Sequence, residues 1–108
     1  MSGHLGDFEQ LILLALLRLG EDAYGVAIRR EIEERTDRSI SIGALYTTLQ
    51  RMEGKGLVRS TIGDPTPERG GRRKKYYSLE ADGSRALADS YRAWREMTSD
   101  LESILEAL

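Results

Sequence analysis

The chain has 108 residues, a net charge of −2, one histidine and no cysteine. This length suits one domain with a modest core, for which pairing with a second copy would bury further apolar surface. Without cysteine neither disulfides nor thiolate metal sites can form, and His4 alone cannot make a histidine cluster, so we predict no metal site and no cofactor.

Membrane and catalytic classes are also disfavoured. The longest apolar run, residues 11–17, is far shorter than the roughly 20 residues that span a bilayer, and no secretory signal pattern precedes it. The sequence offers no Ser/His/Asp or Cys/His set, and Gly70 and Gly71 lack the context of a phosphate-binding loop. We therefore expect a cytoplasmic protein that is not an enzyme and has no membrane partner.

Two helices are predicted first along the chain. Residues 5–19 are apolar at helical spacing on more than one side, which indicates a largely buried helix that ends near Gly20. Residues 24–36 predict an amphipathic helix, half exposed, with charged residues opposite its apolar face. The apolar face of this second helix consists of Tyr24, Ala27, Ile28 and Ile32.

Residues 41–55 predict a third helix that begins with Ser41 as its N-cap and ends at Gly56. Leu45, Leu49 and Met52 form its core stripe, so small and polar side chains are left to face outwards. Such a face can approach DNA closely, with Thr47, Thr48 and Arg51 towards the major groove and the first N–H groups towards a phosphate. The predicted DNA-binding residues of this helix are Ser41, Gly43, Ala44, Tyr46, Thr47, Thr48, Arg51 and Lys55.

A hairpin with a basic tip follows this helix. Residues 58–62 and 76–79 alternate as strands, and residues 63–71 form the tip, which includes both prolines. Five cations lie within residues 69–75, and this local cluster can neutralise phosphates although the whole chain is acidic. The predicted DNA-binding residues of the hairpin are Arg69, Gly70, Gly71, Arg72, Arg73 and Lys74. Tyr76 and Tyr77 are assigned to strand packing.

Charge is divided unevenly along the chain. Residues 1–79 have 13 Lys/Arg and 11 Asp/Glu, whereas residues 80–108 have 3 and 7. We accordingly divide the chain into a DNA-binding domain, residues 1–79, and a dimerisation helix, residues 80–108.

Residues 80–108 predict one long helix with an apolar stripe. At ~1.5 Å per residue this helix extends beyond a domain of about 80 residues, so a second copy is the natural partner for its stripe. The first helix is expected to assist. The predicted dimer interface consists of Phe8, Ile12, Leu87, Tyr91, Trp94, Leu101, Leu105 and Leu108.

Trp94, the only tryptophan, is interpreted first as part of this dimer core. Two indoles near a two-fold axis can also leave a flat slot into which a planar aromatic compound stacks. Trp94, Tyr91 and Phe8 are therefore the candidate effector-binding residues.

Four segments of the chain occur in a characteristic order and spacing: LGDFEQLILLALLRLG, DAYGVAIRREIEE, GALYTTLQRMEGKGLV and GGRRKKYYSLEADG. Together they resemble the PadR family of bacterial transcriptional regulators, in its short form with a single C-terminal helix, and the match covers about residues 5–108. The resemblance implies a mostly α fold with a small β-hairpin: a winged helix-turn-helix domain and a long dimerisation helix.

The same resemblance implies a homodimeric repressor of a two-fold symmetric, palindromic operator in double-stranded DNA, relieved in many relatives by a small aromatic or amphipathic compound. It places the recognition helix at residues 41–55, the wing at 62–75 and the dimer helix at 80–108. The wing tip DPTPERGG departs from the family pattern because it is long and contains proline.

Each pattern also has a purely structural interpretation. The helix at residues 41–55 could be a core helix with a polar outer face, and the basic cluster could be a solvated loop. Their succession along the chain favours DNA binding. The alternative function is a winged-helix module for protein interaction or dimerisation that does not contact DNA. Salt dependence distinguishes the two, because phosphate neutralisation releases counterions.

Overall fold

The computed structural model describes residues 4–65 and 73–108, with only the backbone of Pro65. Over these residues the chain forms five α-helices and one antiparallel hairpin, which confirms the mostly α prediction. The elements are α1 (Asp7–Leu19), a 3₁₀ turn (Gly20–Asp22), α2 (Gly25–Arg35), α3 (Ile42–Gly54), β1 (Val58–Pro65), β2 (Arg73–Leu79), α4 (Ala81–Thr98) and α5 (Glu102–Ala107). In the described ranges, none of these helices is both long and apolar enough to cross a membrane.

One apolar core lies where α1, α2 and α3 pack together and meet the base of the hairpin. Its largest fully buried side chains are Ile12, Leu13, Ile28, Leu45, Leu49, Met52 and Val58. Ile12 is 0% exposed and Leu87 is 8% exposed in a single subunit. The prediction that they lie in a dimer interface is therefore wrong, because both side chains are buried in the core of their own subunit.

Helix α3 begins after Ser41 and ends before Gly56, as predicted from the sequence. The Ser41 hydroxyl accepts a hydrogen bond from the Ala44 N–H at 3.1 Å, which satisfies a free donor of the first turn. At the other end Gly56 has φ +77, and the Leu57 N–H donates to the Met52 carbonyl at 3.0 Å. This arrangement is a glycine C-cap of the Schellman type, as predicted.

The hairpin is attached to the helices at its base. The Tyr77 N–H donates to the Ala23 carbonyl at 2.8 Å, and the Tyr24 and Tyr76 rings meet edge to face with centroids 5.8 Å apart. Tyr76 and Tyr77 therefore have the packing roles assigned to them. Strand β1 continues to Pro65, whereas the sequence placed the loop from Gly63. Gly63 allows this continuation because the Tyr76 ring occupies the space of a Cβ there.

The predicted single helix over residues 80–108 is wrong, because α4 ends at Thr98 and α5 begins at Glu102. Between them Asp100 adopts φ +65, and the Thr98 hydroxyl donates to the Trp94 carbonyl at 2.8 Å. Short polar side chains compete with the helical backbone in this way, and aspartate tolerates the left-handed conformation. The apolar stripe is consequently shared between two helices.

The first turn of α4 closely approaches Leu57, which lies between α3 and β1. The Glu80 N–H donates to the Leu57 carbonyl at 2.9 Å, and a Cβ on Gly83 would overlap that same carbonyl oxygen. The contact is backbone against backbone, so no side-chain rotation relieves it. Gly83 therefore fixes how α4 leaves the domain.

We expect Gly83→Ala to lower the free energy of unfolding by about 1–3 kcal/mol, because overpacking against a fixed backbone outweighs alanine's better helix propensity. Urea denaturation measures this change. Gly54→Ala is the matched control, since the space around Gly54 is open, and it is expected to stabilise by roughly 0.5–1 kcal/mol. Equal effects of the two substitutions would contradict the close approach.

Candidate nucleic-acid interface

The outer face of α3 is open to solvent and poor in bulky side chains. Gly43, Ala44, Thr47, Gln50 and Arg51 are all exposed there, and the space around Gly43 is empty. We call these five residues the α3 face. Small residues let a helix enter the major groove, and glutamine and arginine can each bond a base edge with two hydrogen bonds. Gln50 is not among the DNA-binding residues predicted from the sequence, although it lies three positions after Thr47 on the same face.

Thr48 does not belong to the α3 face. Its side chain is buried, with 7% of the residue exposed, and its hydroxyl donates to the Ala44 carbonyl at 2.9 Å. The outward orientation predicted for it is wrong, because Thr48 lies three residues after Leu45 and four before Met52. Those spacings place it on the core side of a helix.

Tyr46 is 41% exposed, but its ring has a packing role. The ring and hydroxyl fill the place where Gly25 would have a Cβ. Gly25 begins α2, so this contact sets the distance between the two helices of the helix-turn-helix. The hydroxyl end of Tyr46 thus contacts the start of α2. Tyr46 therefore helps to orient α3, in addition to its predicted place in the DNA-binding surface.

Two cations at the C-terminal end of α3, Arg51 and Lys55, approach the carboxylate of Glu9. Glu9, in the first turn of α1, is 4% exposed, and its carboxylate accepts a hydrogen bond from Lys55 Nζ at 3.1 Å. Arg51 Nε lies 3.9 Å from the same oxygen. The other oxygen accepts from the Gly6 N–H at 2.8 Å. Lys55 and Arg51 are about half exposed, so both can still reach a ligand.

These surroundings lower the pKa of the Glu9 carboxyl. Burial on its own raises the pKa of Glu9, but the Gly6 and Lys55 hydrogen bonds and the two nearby positive charges outweigh burial and leave its pKa below the usual value. Glu9 is therefore ionised at neutral pH. Glu9 is not among the functional residues predicted from the sequence. The feature that could have identified it is an acidic residue next to the apolar stretch of α1.

Strand β2 of the hairpin carries three cations with different surroundings. Arg73 and Lys75 are exposed, whereas Lys74 is partly buried and its Nζ lies 4.1 Å from the centre of the Tyr24 ring. A cation in that position is bound by the ring, which ties Lys74 to α2. The predicted phosphate ligands Arg69, Gly70, Gly71 and Arg72 lie outside the described residues.

The apolar stripe of the last two helices is exposed in one subunit. Trp94 is 70% exposed, and Tyr91 on the preceding turn is exposed with it. The other large exposed apolar residues of α4, α5 and the turns that flank α5 are Met97, Leu101, Ile104, Leu105 and Leu108. Phe8 packs against the core and lines a hollow with Ser41 and Ala44, at the start of α3.

Comparisons with known proteins agree with this geometry. The model of the transcriptional regulator PadR-like family matches residues 13–89. A PadR family transcription regulator from Clostridium difficile has 29% identity and a TM-score of 0.74, over 93% of this chain and 99% of that one. A second, from Eggerthella lenta, has 27% identity and a TM-score of 0.67, over 92% and 84%. An uncharacterized protein from Lysinibacillus sphaericus is 32% identical over 110 residues, which is 100% of this chain and 94% of that protein.

The chain therefore belongs to the PadR-like family of transcriptional regulators. It is, at the level of the family, a DNA-binding regulator with a winged-helix fold. The family consists of transcriptional regulators and not of enzymes, which confirms the prediction that the protein is not an enzyme. Membership also disfavours the alternative of a winged-helix module for protein interaction or dimerisation that does not contact DNA.

Proposed function

We propose that this regulator is a homodimeric repressor that binds a two-fold symmetric operator through α3 and the hairpin. The observation that carries the proposal is the α3 face, which is small and polar, next to a hairpin that has exposed cations and whose strand β1 packs against α3. The helix supplies contacts to base edges, and the hairpin supplies contacts to phosphates. Repression then requires only that a bound dimer occupies the promoter.

The dimer is supported by the exposed apolar stripe of α4 and α5. A soluble monomer rarely exposes so many large apolar side chains on one surface. On α1, Leu14 and Leu17 are exposed and take the place that the sequence assigned to Ile12. We infer that residues 80–108, together with these two leucines, pair the subunits, while residues 1–79 bind DNA.

The operator itself is the first test. Selection of bound duplexes from a random library should recover an inverted repeat, because a two-fold dimer presents its two α3 helices to half-sites about 34 Å apart, one helical turn of DNA. A reporter under that operator should be repressed by the protein. Recovery of a single, asymmetric half-site would contradict the dimeric mode, and reporter activation would contradict repression.

The hairpin is expected to contribute affinity without sequence preference. Arg73→Ala together with Lys75→Ala should weaken binding to operator and random duplex by the same factor and make the salt dependence shallower, by about 0.9 in the log–log slope per lost contact. Fluorescence anisotropy over a range of salt concentrations measures both. Lys74→Ala is the control: because its ammonium rests on Tyr24, the slope should change less. A loss restricted to the operator would assign the hairpin to base recognition.

A small planar aromatic effector is the second part of the proposal. Trp94 and Tyr91 are exposed in one subunit, so a dimer can bring two indoles near its axis and leave a slot between them. Phe8, which lines a hollow with Ser41 and Ala44, is the third candidate residue for effector binding. Planar aromatic dyes should quench Trp94 fluorescence and weaken operator binding together, because an effector must favour one conformation. Quenching with unchanged DNA affinity would contradict a regulatory role.

A further inference from the structure

The contact between Glu9 and the last turn of α3 links two distant parts of the chain. Glu9 lies 46 positions before Lys55, yet their charged atoms are 3.1 Å apart. The Glu9 carboxylate is almost completely buried, whereas the two cations above it, Lys55 and Arg51, are half exposed. One side of this cluster is therefore fixed in the protein and the other faces solvent at the end of the α3 face.

The net charge of this cluster is +1, because one carboxylate opposes two cations. A buried carboxylate is poorly screened by water, so it reduces the attraction that the two cations exert on a phosphate nearby. An acid at this position would be a disadvantage if the end of α3 served only to bind the DNA backbone. It is an advantage if non-specific binding has to be kept low.

We propose that Glu9 is a positioning residue that cancels one positive charge at the end of α3 and holds Arg51 and Lys55 against α1, so that DNA of any sequence binds less tightly while operator recognition is kept. This inference rests on the proposed function, since it requires that α3 lies against DNA. Glu9 is not expected to touch DNA itself. Its effect passes through the two cations that it contacts.

Glu9→Gln tests the charge, because glutamine keeps an oxygen that can accept from the Gly6 N–H. The affinity of the dimer for random duplex should rise roughly 3- to 10-fold at about 150 mM salt. The log–log salt slope should steepen by about 0.9 per subunit, close to 2 for the dimer. Operator affinity should rise less, so the ratio of operator to random affinity should fall. A merely structural role would leave the slope unchanged.

Two further variants complete the experiment. Glu9→Gln combined with Lys55→Gln removes the pair together, leaves no unpaired buried charge, and should restore the wild-type slope. A slope shallower than that of the wild type in this variant overturns the proposal even if Glu9→Gln alone fails to fold. Glu96→Gln changes the net charge by the same amount on the exposed surface of α4 and should leave the slope as in the wild type.

The outcomes separate this inference from the proposed function. A folded Glu9→Gln protein with the wild-type slope and wild-type random affinity would overturn the role of Glu9 while DNA binding stands. A double variant with a slope shallower than the wild type would also overturn it, because Lys55 would then be an independent phosphate ligand. Absence of salt-dependent DNA binding by the wild type itself would instead contradict the proposed function.

Discussion

Leu101→Asp combined with Leu105→Asp is expected to give monomers and to lower operator affinity by on the order of 100-fold or more. Both leucines are exposed in one subunit, so aspartate at these positions does not disturb its core. In the dimer, however, the new charges would be buried without partners. Operator affinity falls because each half-site must then be bound by a separate subunit. Sedimentation velocity and a DNA titration measure the two effects.

A matched variant keeps this prediction specific. Ser99→Asp combined with Ser103→Asp adds the same charge to the turn before α5 and to α5 itself, at exposed polar positions that are not part of the apolar stripe. This control should remain dimeric and bind its operator as the wild type does. A leucine variant that still sediments as a dimer would show that the assigned surface does not join the subunits.

Arg51→Ala is expected to lower operator affinity by about 1–3 kcal/mol and to affect random duplex much less, if its guanidinium bonds a guanine with two hydrogen bonds. The fold should survive, because Glu9 keeps Lys55 as a partner at 3.1 Å. Titrations of operator, of random duplex and of operators with single base changes measure the loss. Equal losses on operator and random duplex would make Arg51 a phosphate ligand.

Thr48→Val is the control for this measurement. Valine has nearly the shape of threonine, and the hydroxyl of the buried Thr48 donates to the Ala44 carbonyl of its own helix. Operator discrimination should therefore be unchanged. A loss of discrimination in this variant would contradict the orientation of α3.

The parts of the fold that could be predicted from sequence are those with a local physical cause. The spacing of Leu45, Leu49 and Met52 predicts which side of α3 is buried, and all three side chains are fully buried. Ser41 and Gly56 mark its two ends through hydrogen bonds that span only a few residues. Such features need no knowledge of the rest of the chain.

The errors have equally definite causes. The stripe of Leu45, Leu49 and Met52 is one side chain wide and predicts an outward Thr48. The buried face of α3 is wider and includes Thr48, which lies three residues after Leu45 and four before Met52. The break after Thr98 depends on the backbone of Asp100, which a periodic apolar pattern does not reveal. The contact of Glu9 with Lys55 joins residues that only the tertiary fold brings together.

The central claim is that the α3 face and the hairpin bind DNA as a dimer, and the salt dependence of operator binding tests it most directly. If the dimer neutralises about six or more phosphates, log affinity should fall against log salt with a slope of about −5 or steeper, and binding should weaken markedly between about 50 and 200 mM salt. An affinity that stays constant over that range would contradict DNA binding by this surface.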